Sequence, residues 1–328
     1  MDRAFSLPYM SLTFLLAFSI VVLVCPVMIP VLHKLKFGQE IREEGPKWHQ
    51  KKSGTPTMGG IVFIGAVIIA TVMYWNNLKV LIMLFTAVGF GVIGFIDDYI
   101  KVIKKRNLGL KAGEKFFLQA ALAIVYVVLS DMLGLMDCSV IIPFTHTAFA
   151  VPGYIYIPFT VFVILAVVNS VNLTDGIDGL ATSVTIMVTV FFACVAWLMK
   201  NAEVFPFALA VIGGCMGFLL FNKHPAKVFM GDTGSLFLGG AVVVMAINMK
   251  MHLLILIVGF VYLAETLSVI IQVASFKLTG KRVFKMSPIH HHFEMIGWSE
   301  KKIVTVFTVT TILLGILATY SVWGFVSL

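Results

Sequence analysis

The sequence predicts an all-α, polytopic membrane protein with about ten transmembrane helices and both termini on the extracytoplasmic side. Hydrophobic residues make up 59% of the 328 residues, charged residues only 12%, and the mean hydropathy is +1.00. A soluble protein of this length carries roughly 25% charged residues. The apolar surplus exceeds what a soluble core can bury, so much of it must face lipid.

Ten apolar segments are candidates for membrane spans, for which about 20 apolar residues are needed. They are continuously apolar rather than alternating, which favours helices over a β-barrel. The first segment is too long for a signal peptide and has no small-residue cleavage site, so we expect it to be retained. In order, the ten segments are 12–32, 58–74, 80–96, 116–130, 158–171, 180–199, 204–221, 236–249, 253–276 and 303–323.

The basic residues predict the orientation of these spans. With ten spans, 20 of the 24 Lys and Arg residues fall in one alternating set of loops, which the positive-inside rule makes cytoplasmic. The net charge of +8 therefore reflects topology rather than nucleic-acid binding, with a second contribution from anionic substrates or lipid head groups. We expect one integral membrane domain, 1–328, with catalytic loops 33–57, 97–115, 172–179, 222–235 and 277–302.

The longest loop on the opposite side spans 131–157. Two short stretches within and next to it, 140–144 and 154–158, flank polar residues and Gly153. This pattern predicts a small hairpin lying on the membrane surface.

Acidic residues are few, and five aspartates lie in or beside the predicted cytoplasmic loops: Asp97, Asp98, Asp175, Asp178 and Asp232. Each borders an apolar segment, so three loops bring carboxylates to the same level of the membrane surface. The adjacent Asp97 and Asp98 cannot point the same way on a helix, but one can bind a metal while the other acts as a base. The alternative is a solvated helix end, which the helix dipole disfavours.

Two glycine-containing loops carry the remaining aspartates. Segment 169–180 combines two asparagines, two aspartates and two glycines, and glycines let a backbone approach a ligand closely. Segment 222–235 adds two lysines and two hydroxyls, an inventory that suits Mg²⁺ and phosphate, although it is not a P-loop. The alternatives are helix caps at Asp178 and at Thr233 or Ser235, which leave most of these polar residues unexplained.

Histidines and lysines complete the candidate site. His290, His291 and His292 are consecutive and can bind metal, phosphate or a proton, but they are poorly placed for one tridentate metal site. Lysines in 51–60 and 111–115 can hold a pyrophosphate, although membrane topology explains each lysine singly. Glu265 lies inside the ninth apolar segment, where a carboxylate needs a partner or water.

Taken together and in order, these strings resemble one family, the phospho-N-acetylmuramoyl-pentapeptide transferases of bacterial cell-wall synthesis. The matching strings are 54–60, 97–98, 172–180, 225–235 and 288–294, and the resemblance extends from about residue 34 to 298. It implies transfer of phospho-N-acetylmuramoyl-pentapeptide from its UDP carrier to undecaprenyl phosphate, with Mg²⁺ as cofactor. It also implies a homodimer in the bacterial inner membrane, with the active site at the cytoplasmic face and no nucleic-acid partner.

The resemblance further implies a role for each matching residue. The expected catalytic residues are Asp97, Asp98, Asp232 and His291, and the expected metal ligands are Asp232, Asp97, Asp98 and Asn172. The expected substrate-binding residues are Lys52, Thr57, Lys115, Asn172, Asp175, Gly176, Ile177, Asp178, Asn222, Phe229, His290 and His292. Within that set, the lysines and histidines are assigned to phosphates and the 176–178 turn with Phe229 to uridine.

Other functions remain as alternatives. A sister enzyme would transfer N-acetylglucosamine-1-phosphate to a polyprenyl phosphate, although the triple histidine and 225–235 favour the muramoyl substrate. A transporter would place its charges at the membrane midplane rather than at one face. A CDP-alcohol phosphotransferase would need aspartates that are missing after Gly179. Direct attack by the lipid phosphate and a covalent phospho-aspartate route both stay open, as does which of Asp97 and Asp98 is the base.

Overall fold

The computed structural model describes residues 7–34, 54–104, 108–145 and 147–326. This part of the chain is built almost entirely from helices. They are α1 Leu7–Lys34, α2 Gly60–Thr71 with a 3-10 turn Val72–Tyr74, α3 Leu78–Ile103, α4 Ala112–Met132, α5 Gly153–Thr174, α6 Leu180–Leu198, α7 Val204–Asn222, α8 Gly231–Asn248, α9 Ile255–Val258, α10 Phe260–Thr279, α11 Ile289–Met295, α12 Glu300–Ser321 and α13 Trp323–Val326. The prediction of an all-α polytopic membrane protein is confirmed.

Nine helices in the described ranges are long and apolar enough to cross a membrane: α1, α3 to α8, α10 and α12. The predicted segment 58–74 corresponds to a shorter apolar helix, Gly60–Tyr74. The predicted segment 253–276 is not one helix, because the chain breaks at Gly259 between α9 and α10. Only the first of these segments lowers the number from ten predicted spans to nine candidates, because the second still contains one candidate span, α10.

Helix α8 forms the centre of the bundle. About 83% of its apolar window is buried, against 22% for each of α1, α4, α10 and α12. It packs against α3, α5 and α2, with α6 and α7 behind them. A helix that is apolar on every side is suited to such a position, whereas the outer helices keep apolar faces that can contact lipid.

A two-stranded antiparallel hairpin lies between α4 and α5. Strand β1, Ser139–Ile142, pairs with β2, Thr147–Ala150, so a hairpin was correctly predicted in this loop. The predicted second strand, 154–158, was wrong because these residues form the start of α5. A helix beginning only at residue 158 would be too short to cross a bilayer, and the added turn supplies the missing length.

The loops predicted to be catalytic meet at one end of the bundle. The C-terminal ends of α3 and α5 and the N-terminal ends of α4, α6 and α8 all lie there. Loop 33–57 is described only in part, since residues 35–53 lie outside the described ranges.

Candidate active site

Asp98 binds the N-terminus of α8 from the neighbouring helix α3. Its Oδ2 accepts hydrogen bonds from the Thr233 backbone N–H at 2.9 Å and the Thr233 hydroxyl at 2.7 Å, and its Oδ1 accepts one from the Asp232 N–H at 3.2 Å. The first backbone N–H groups of a helix have no partner within the helix and carry partial positive charge. A buried carboxylate at this position therefore satisfies the helix end and joins α3 to α8.

Two glycines permit this close approach. Gly231 adopts φ +71°, and a Cβ there would overlap the Asp98 carboxylate. A Cβ at Gly94 would overlap the backbone carbonyl of Asp232. Glycine is thus required at both positions for the carboxylates of α3 and α8 to come together.

Asp232 lies between two ammonium groups and one amide. Its Oδ2 accepts hydrogen bonds from Lys101 Nζ and Lys115 Nζ, both at 2.8 Å. Its Oδ1 accepts one from Asn172 Nδ2 at 2.9 Å, and the same amide nitrogen also donates to Ser235 Oγ at 2.7 Å. Four separate helix ends therefore converge on this one carboxylate.

Asp97 is buried and faces Lys101 rather than the α8 terminus. Its Oδ2 lies 2.6 Å from Lys101 Nζ, and its Oδ1 accepts a hydrogen bond from the Leu110 N–H at 2.8 Å. Lys101 thus bridges Asp97 and Asp232, and it lies 3.6 Å from Asp98. We call Asp97, Asp98, Lys101, Lys115 and Asp232 the carboxylate–lysine network.

Lys101 was not singled out from the sequence. It follows Asp97 by four residues and Asp98 by three, the spacings at which helical side chains meet. That spacing was a usable signal, but the tie to Asp232, which lies 131 residues away in sequence, was not visible.

Three carboxylates of the network can hold a metal ion. One oxygen from each of Asp97, Asp98 and Asp232 lies within 4.8 Å of the others. Both Asp98 oxygens already accept hydrogen bonds from the α8 terminus, and Asn172 presents its amide nitrogen to Asp232. The donor set available for a hard cation is therefore dominated by Asp97 and Asp232.

Asp175 follows the last residue of α5 and carries a strongly shifted carboxyl group. Burial, followed by the neighbouring charges of Asp232, Asp98 and Asp178, raises its pKa to about 8. Such a raised pKa shows that the carboxylates of the site lie close to Asp175 and disfavour its ionisation.

Asp178 fixes the loop that precedes α8. Its Oδ2 accepts a hydrogen bond from the Ala226 N–H at 3.0 Å and lies 3.1 Å from His224 Nδ1. Glu300, at the start of α12, accepts a hydrogen bond from the Asp178 N–H at 3.2 Å and lies 3.5 Å from the same ring nitrogen. Asp178 does not cap α6, whose N-cap is Gly179, so the capping alternative is wrong.

The predicted uridine and loop residues lie beside this cluster. Asn222 is buried, accepting a hydrogen bond from Thr182 at 2.8 Å and donating one to the Val228 carbonyl at 3.0 Å, so its amide stabilises the loop. Phe229 remains half-exposed next to it, and its backbone pairs with residues 56 and 59. Thr57 is buried in that pairing, Ile177 is buried in the 176–178 turn, and Lys52 lies outside the described residues.

The three consecutive histidines point in different directions, as expected from the sequence. His290 is fully buried, with Nδ1 3.0 Å from Glu265 Oε2. His291 Nδ1 lies 2.7 Å from Glu294 Oε2, and His292 Nδ1 accepts a hydrogen bond from the Lys285 N–H at 3.2 Å. No single ion can be shared by all three rings in this arrangement.

The chain matches two family models and is similar to several known proteins. A family model described as Glycosyl transferase family 4 matches residues 80–250, and a second, described as Phospho-N-acetylmuramoyl-pentapeptide-transferase signature 1, matches residues 52–64. Similar proteins include the phospho-N-acetylmuramoyl-pentapeptide-transferases of Clostridium beijerinckii, 52% identical over 96% of this chain and 95% of the relative, and Bacillus licheniformis, 49% identical over 95% and 97%. That of Bacillus subtilis is 48% identical over 95% and 97%.

Proposed function

The chain belongs to the phospho-N-acetylmuramoyl-pentapeptide-transferase family, and from that premise we propose that its reaction takes place on the carboxylate–lysine network. The reaction transfers phospho-N-acetylmuramoyl-pentapeptide from its UDP carrier to undecaprenyl phosphate, which releases UMP and forms lipid I. The convergence of Asp97, Lys101 and Lys115 on Asp232 is the observation that carries the assignment of the site. Phosphoryl transfer depends on charge neutralisation and alignment, and this network supplies both.

The two lysines are the groups that exchange partners when substrate binds. Lys101 and Lys115 both contact Asp232 Oδ2, and both keep part of their side chains exposed. A pyrophosphate entering beside them offers oxygens with more negative charge than one shared carboxylate. We therefore assign both lysines to the phosphates of the UDP-sugar.

The carboxylates divide the remaining work. Asp97 and Asp232 would hold Mg²⁺, which when bound supplies neutralising charge for the pyrophosphate. Asp98 keeps the α8 terminus in place through its three hydrogen bonds. Asp97, which lies against Lys101, is our candidate for taking the proton as the lipid phosphate attacks, and Asn172 and Asp175 shape the wall behind Asp232.

The nucleotide end of the substrate is assigned to the neighbouring loops. The 175–178 turn and the half-exposed Phe229 ring lie beside the network, and a free aromatic face suits a uracil ring. Asp178 contacts His224 and accepts a hydrogen bond from the Ala226 N–H. These contacts hold the 175–178 turn against the loop that precedes α8. His291 and His292, at the start of α11, are assigned to the sugar phosphate.

The protein is an integral membrane protein, and we propose that this site faces the cytoplasm of a bacterial cell at the inner membrane. The lysine-rich loops support that orientation through the positive-inside rule. With the shorter helix α2 counted as a tenth span, both termini are extracytoplasmic. The chain forms one membrane domain, and a homodimer is the assembly we expect from the family.

An assay of the purified protein tests the function. We expect UMP release with UDP-N-acetylmuramoyl-pentapeptide and undecaprenyl phosphate in the presence of Mg²⁺, and none with UDP-N-acetylglucosamine. Asp232→Asn should lower kcat by about a hundredfold or more, since it removes a charge at the reacting centre. Asp137→Asn is the matched control, because Asp137 pairs with Lys250 at the opposite end of the bundle. Equal rates with both sugars would contradict the assignment.

A single-turnover experiment separates the two routes. If direct attack assisted by Asp97 is the mechanism, Asp97→Asn slows the chemical step and no phosphorylated protein accumulates. A full chemical-step rate in this variant would remove Asp97 from the base role, and a trapped phospho-aspartate would favour the two-step route.

A further inference from the structure

Two ionisable side chains are completely buried beneath the site, in helices that contribute nothing to the carboxylate–lysine network. Glu265 of α10 and His290 of α11 both have 0% exposed surface. Glu265 Oε2 lies 3.0 Å from His290 Nδ1 and also accepts a hydrogen bond from the His290 backbone N–H at 3.4 Å. An isolated carboxylate at this depth would be costly, and the imidazole is the polar side chain that lies beside it.

The far edge of the His290 ring lies against the turn after α5. A Cβ added to Gly176 would overlap His290 Nε2 and Cε1, so the ring edge and the backbone of the turn are in direct contact. Gly176 belongs to the 175–178 turn, which also carries Asp175 and Asp178. The ring therefore limits how far the turn can move toward α11.

The pair is not fully hydrogen-bonded within the described residues. Three buried atoms form no hydrogen bond there: Nδ1 and Nε2 of His290 and Oε1 of Glu265. The 3.0 Å approach of Nδ1 to Glu265 Oε2 is a close polar contact without hydrogen-bond geometry. Buried polar atoms in proteins are nearly always paired, and exceptions concentrate at functional positions. A pair that served stability alone would be replaced by apolar residues of similar volume at little cost.

We propose that Glu265 is a positioning residue for nucleotide binding, acting through His290 on the Gly176 turn. The carboxylate accepts a hydrogen bond from the His290 backbone N–H and lies against Nδ1, and these two contacts keep the ring in place. The ring edge in turn keeps the turn in the position needed by the UDP-sugar. The inference rests on the proposed function, because it takes the 175–178 turn as the nucleotide subsite. Glu265 itself contacts no substrate.

Binding and steady-state measurements on Glu265→Gln test this proposal. The substitution keeps the shape of the side chain and removes its charge, so the ring is no longer held. We expect the Kd for UMP and the KM for UDP-N-acetylmuramoyl-pentapeptide to rise about tenfold, the scale of one lost polar interaction. The KM for undecaprenyl phosphate should stay within about twofold, because the lipid phosphate binds at the carboxylate–lysine network and not at the turn.

The matched control is Glu203→Gln. Glu203 precedes α7 at the opposite end of the bundle, where its only described ion pair is to Lys79 at 3.8 Å. The Glu203→Gln protein should therefore bind UMP as the unmodified protein does. Unchanged UMP binding and KM in Glu265→Gln would overturn the proposal. An equal rise in KM for both substrates would also overturn it, since that result indicates general damage.

A double-mutant cycle tests the contact itself and does not depend on Glu265→Gln folding. Gly176→Ala should weaken UMP binding strongly because its methyl group meets the His290 ring. In a His290→Ala background the same change should cost much less, since the ring is gone. Additive losses would contradict the contact. If the unmodified protein binds no UMP, the proposed function fails. If the unmodified protein binds UMP and the variants bind it equally well, this inference alone fails.

Discussion

At the scale of single residues, two adjacent aspartates perform different tasks because they lie on different faces of α3. Asp98 points at the α8 terminus and uses both oxygens there, whereas Asp97 points at Lys101 and the Leu110 N–H. Consecutive helical side chains diverge, so one pair of neighbours can serve both the framework and the chemistry. Asp98 therefore contributes to the stability of the helix framework as well as to the site.

Asp98→Ala should destabilise the protein as well as inactivate it. It leaves the N–H groups of Asp232 and Thr233 and one hydroxyl without an acceptor, and we expect a loss of about 2–4 kcal/mol in the free energy of unfolding. Thr233→Val removes only the hydroxyl contact and should cost about 1 kcal/mol. Unfolding in mixed micelles of rising denaturing detergent measures both. Equal stability of Asp98→Ala and the unmodified protein would exclude a capping role.

Asp175 gives the metal-free protein a specific pH dependence. Its pKa is raised to about 8 by burial and by neighbouring carboxylates, whereas the unfolded carboxyl ionises near pH 4. Between these values the folded state binds more protons than the unfolded state, so stability falls as pH rises and levels off above about pH 8. Asp175→Asn lacks this titration. We measure the thermal midpoints of both proteins with a chelator from pH 5.5 to 8.5. As pH rises, the midpoint of the unmodified protein should fall relative to that of Asp175→Asn.

At the scale of elements, the site depends on how closely α2 and α3 approach α8. A Cβ at Gly60 in α2 would overlap the backbone of Gly234 in α8, and Gly94 of α3 has the same relation to Asp232. These contacts leave no room for any side chain, and they position the first turn of α8 between two neighbours. At Gly65, also in α2, an added Cβ would meet no atom of another part of the protein within 4 Å.

Two alanine substitutions in α2 should therefore have opposite effects. Gly60→Ala forces α2 away from α8 and should cost about 1–3 kcal/mol together with most of the activity. Gly65→Ala should be neutral or stabilising by up to about 1 kcal/mol, because alanine favours the helix where there is room. Thermal unfolding and UMP release on the two variants test this pair. Similar behaviour of both would mean that α2 can shift without disturbing the site.

At the scale of the whole molecule, the bundle keeps its chemistry at one end and its hairpin at the other. The hairpin is held by hydrogen bonds from Ile141 N–H to the Lys250 carbonyl at 2.8 Å and from Phe144 N–H to the Ser321 carbonyl at 3.0 Å. The carboxylate–lysine network lies at the opposite helix ends. The two ends must therefore face different compartments.

Chemical labelling determines which end is cytoplasmic. Single cysteines are introduced at two positions in a protein whose four natural cysteines have been replaced. Lys104 directly follows α3 at the network end, and Tyr154 lies in the first turn of α5 at the hairpin end. Both side chains are exposed. A membrane-impermeant maleimide added to intact spheroplasts should label only Tyr154→Cys, and Lys104→Cys should react after permeabilisation. The reverse pattern would contradict the orientation derived from the basic loops.

The sequence by itself determined the class of protein, most helix positions, the family and the strings that contain the site. These features are local, since hydropathy, charge asymmetry and short motifs are each carried by neighbouring residues. Two predictions from the sequence were wrong. One apolar segment was predicted as a single helix but contains two, with a break at Gly259. Residues 154–158 were predicted as a strand but form the start of α5.

Only the tertiary structure decided which side chains meet. Contacts such as Lys101 with Asp232, Asp98 with the α8 terminus and the His290 ring with Gly176 each join residues far apart in the chain. Such pairings depend on the packing of helices at glycine contacts, and composition and spacing contain no information about which helix lies beside which. The single sequence gives the types of residue in a site, whereas helix packing gives their partners and hence their roles.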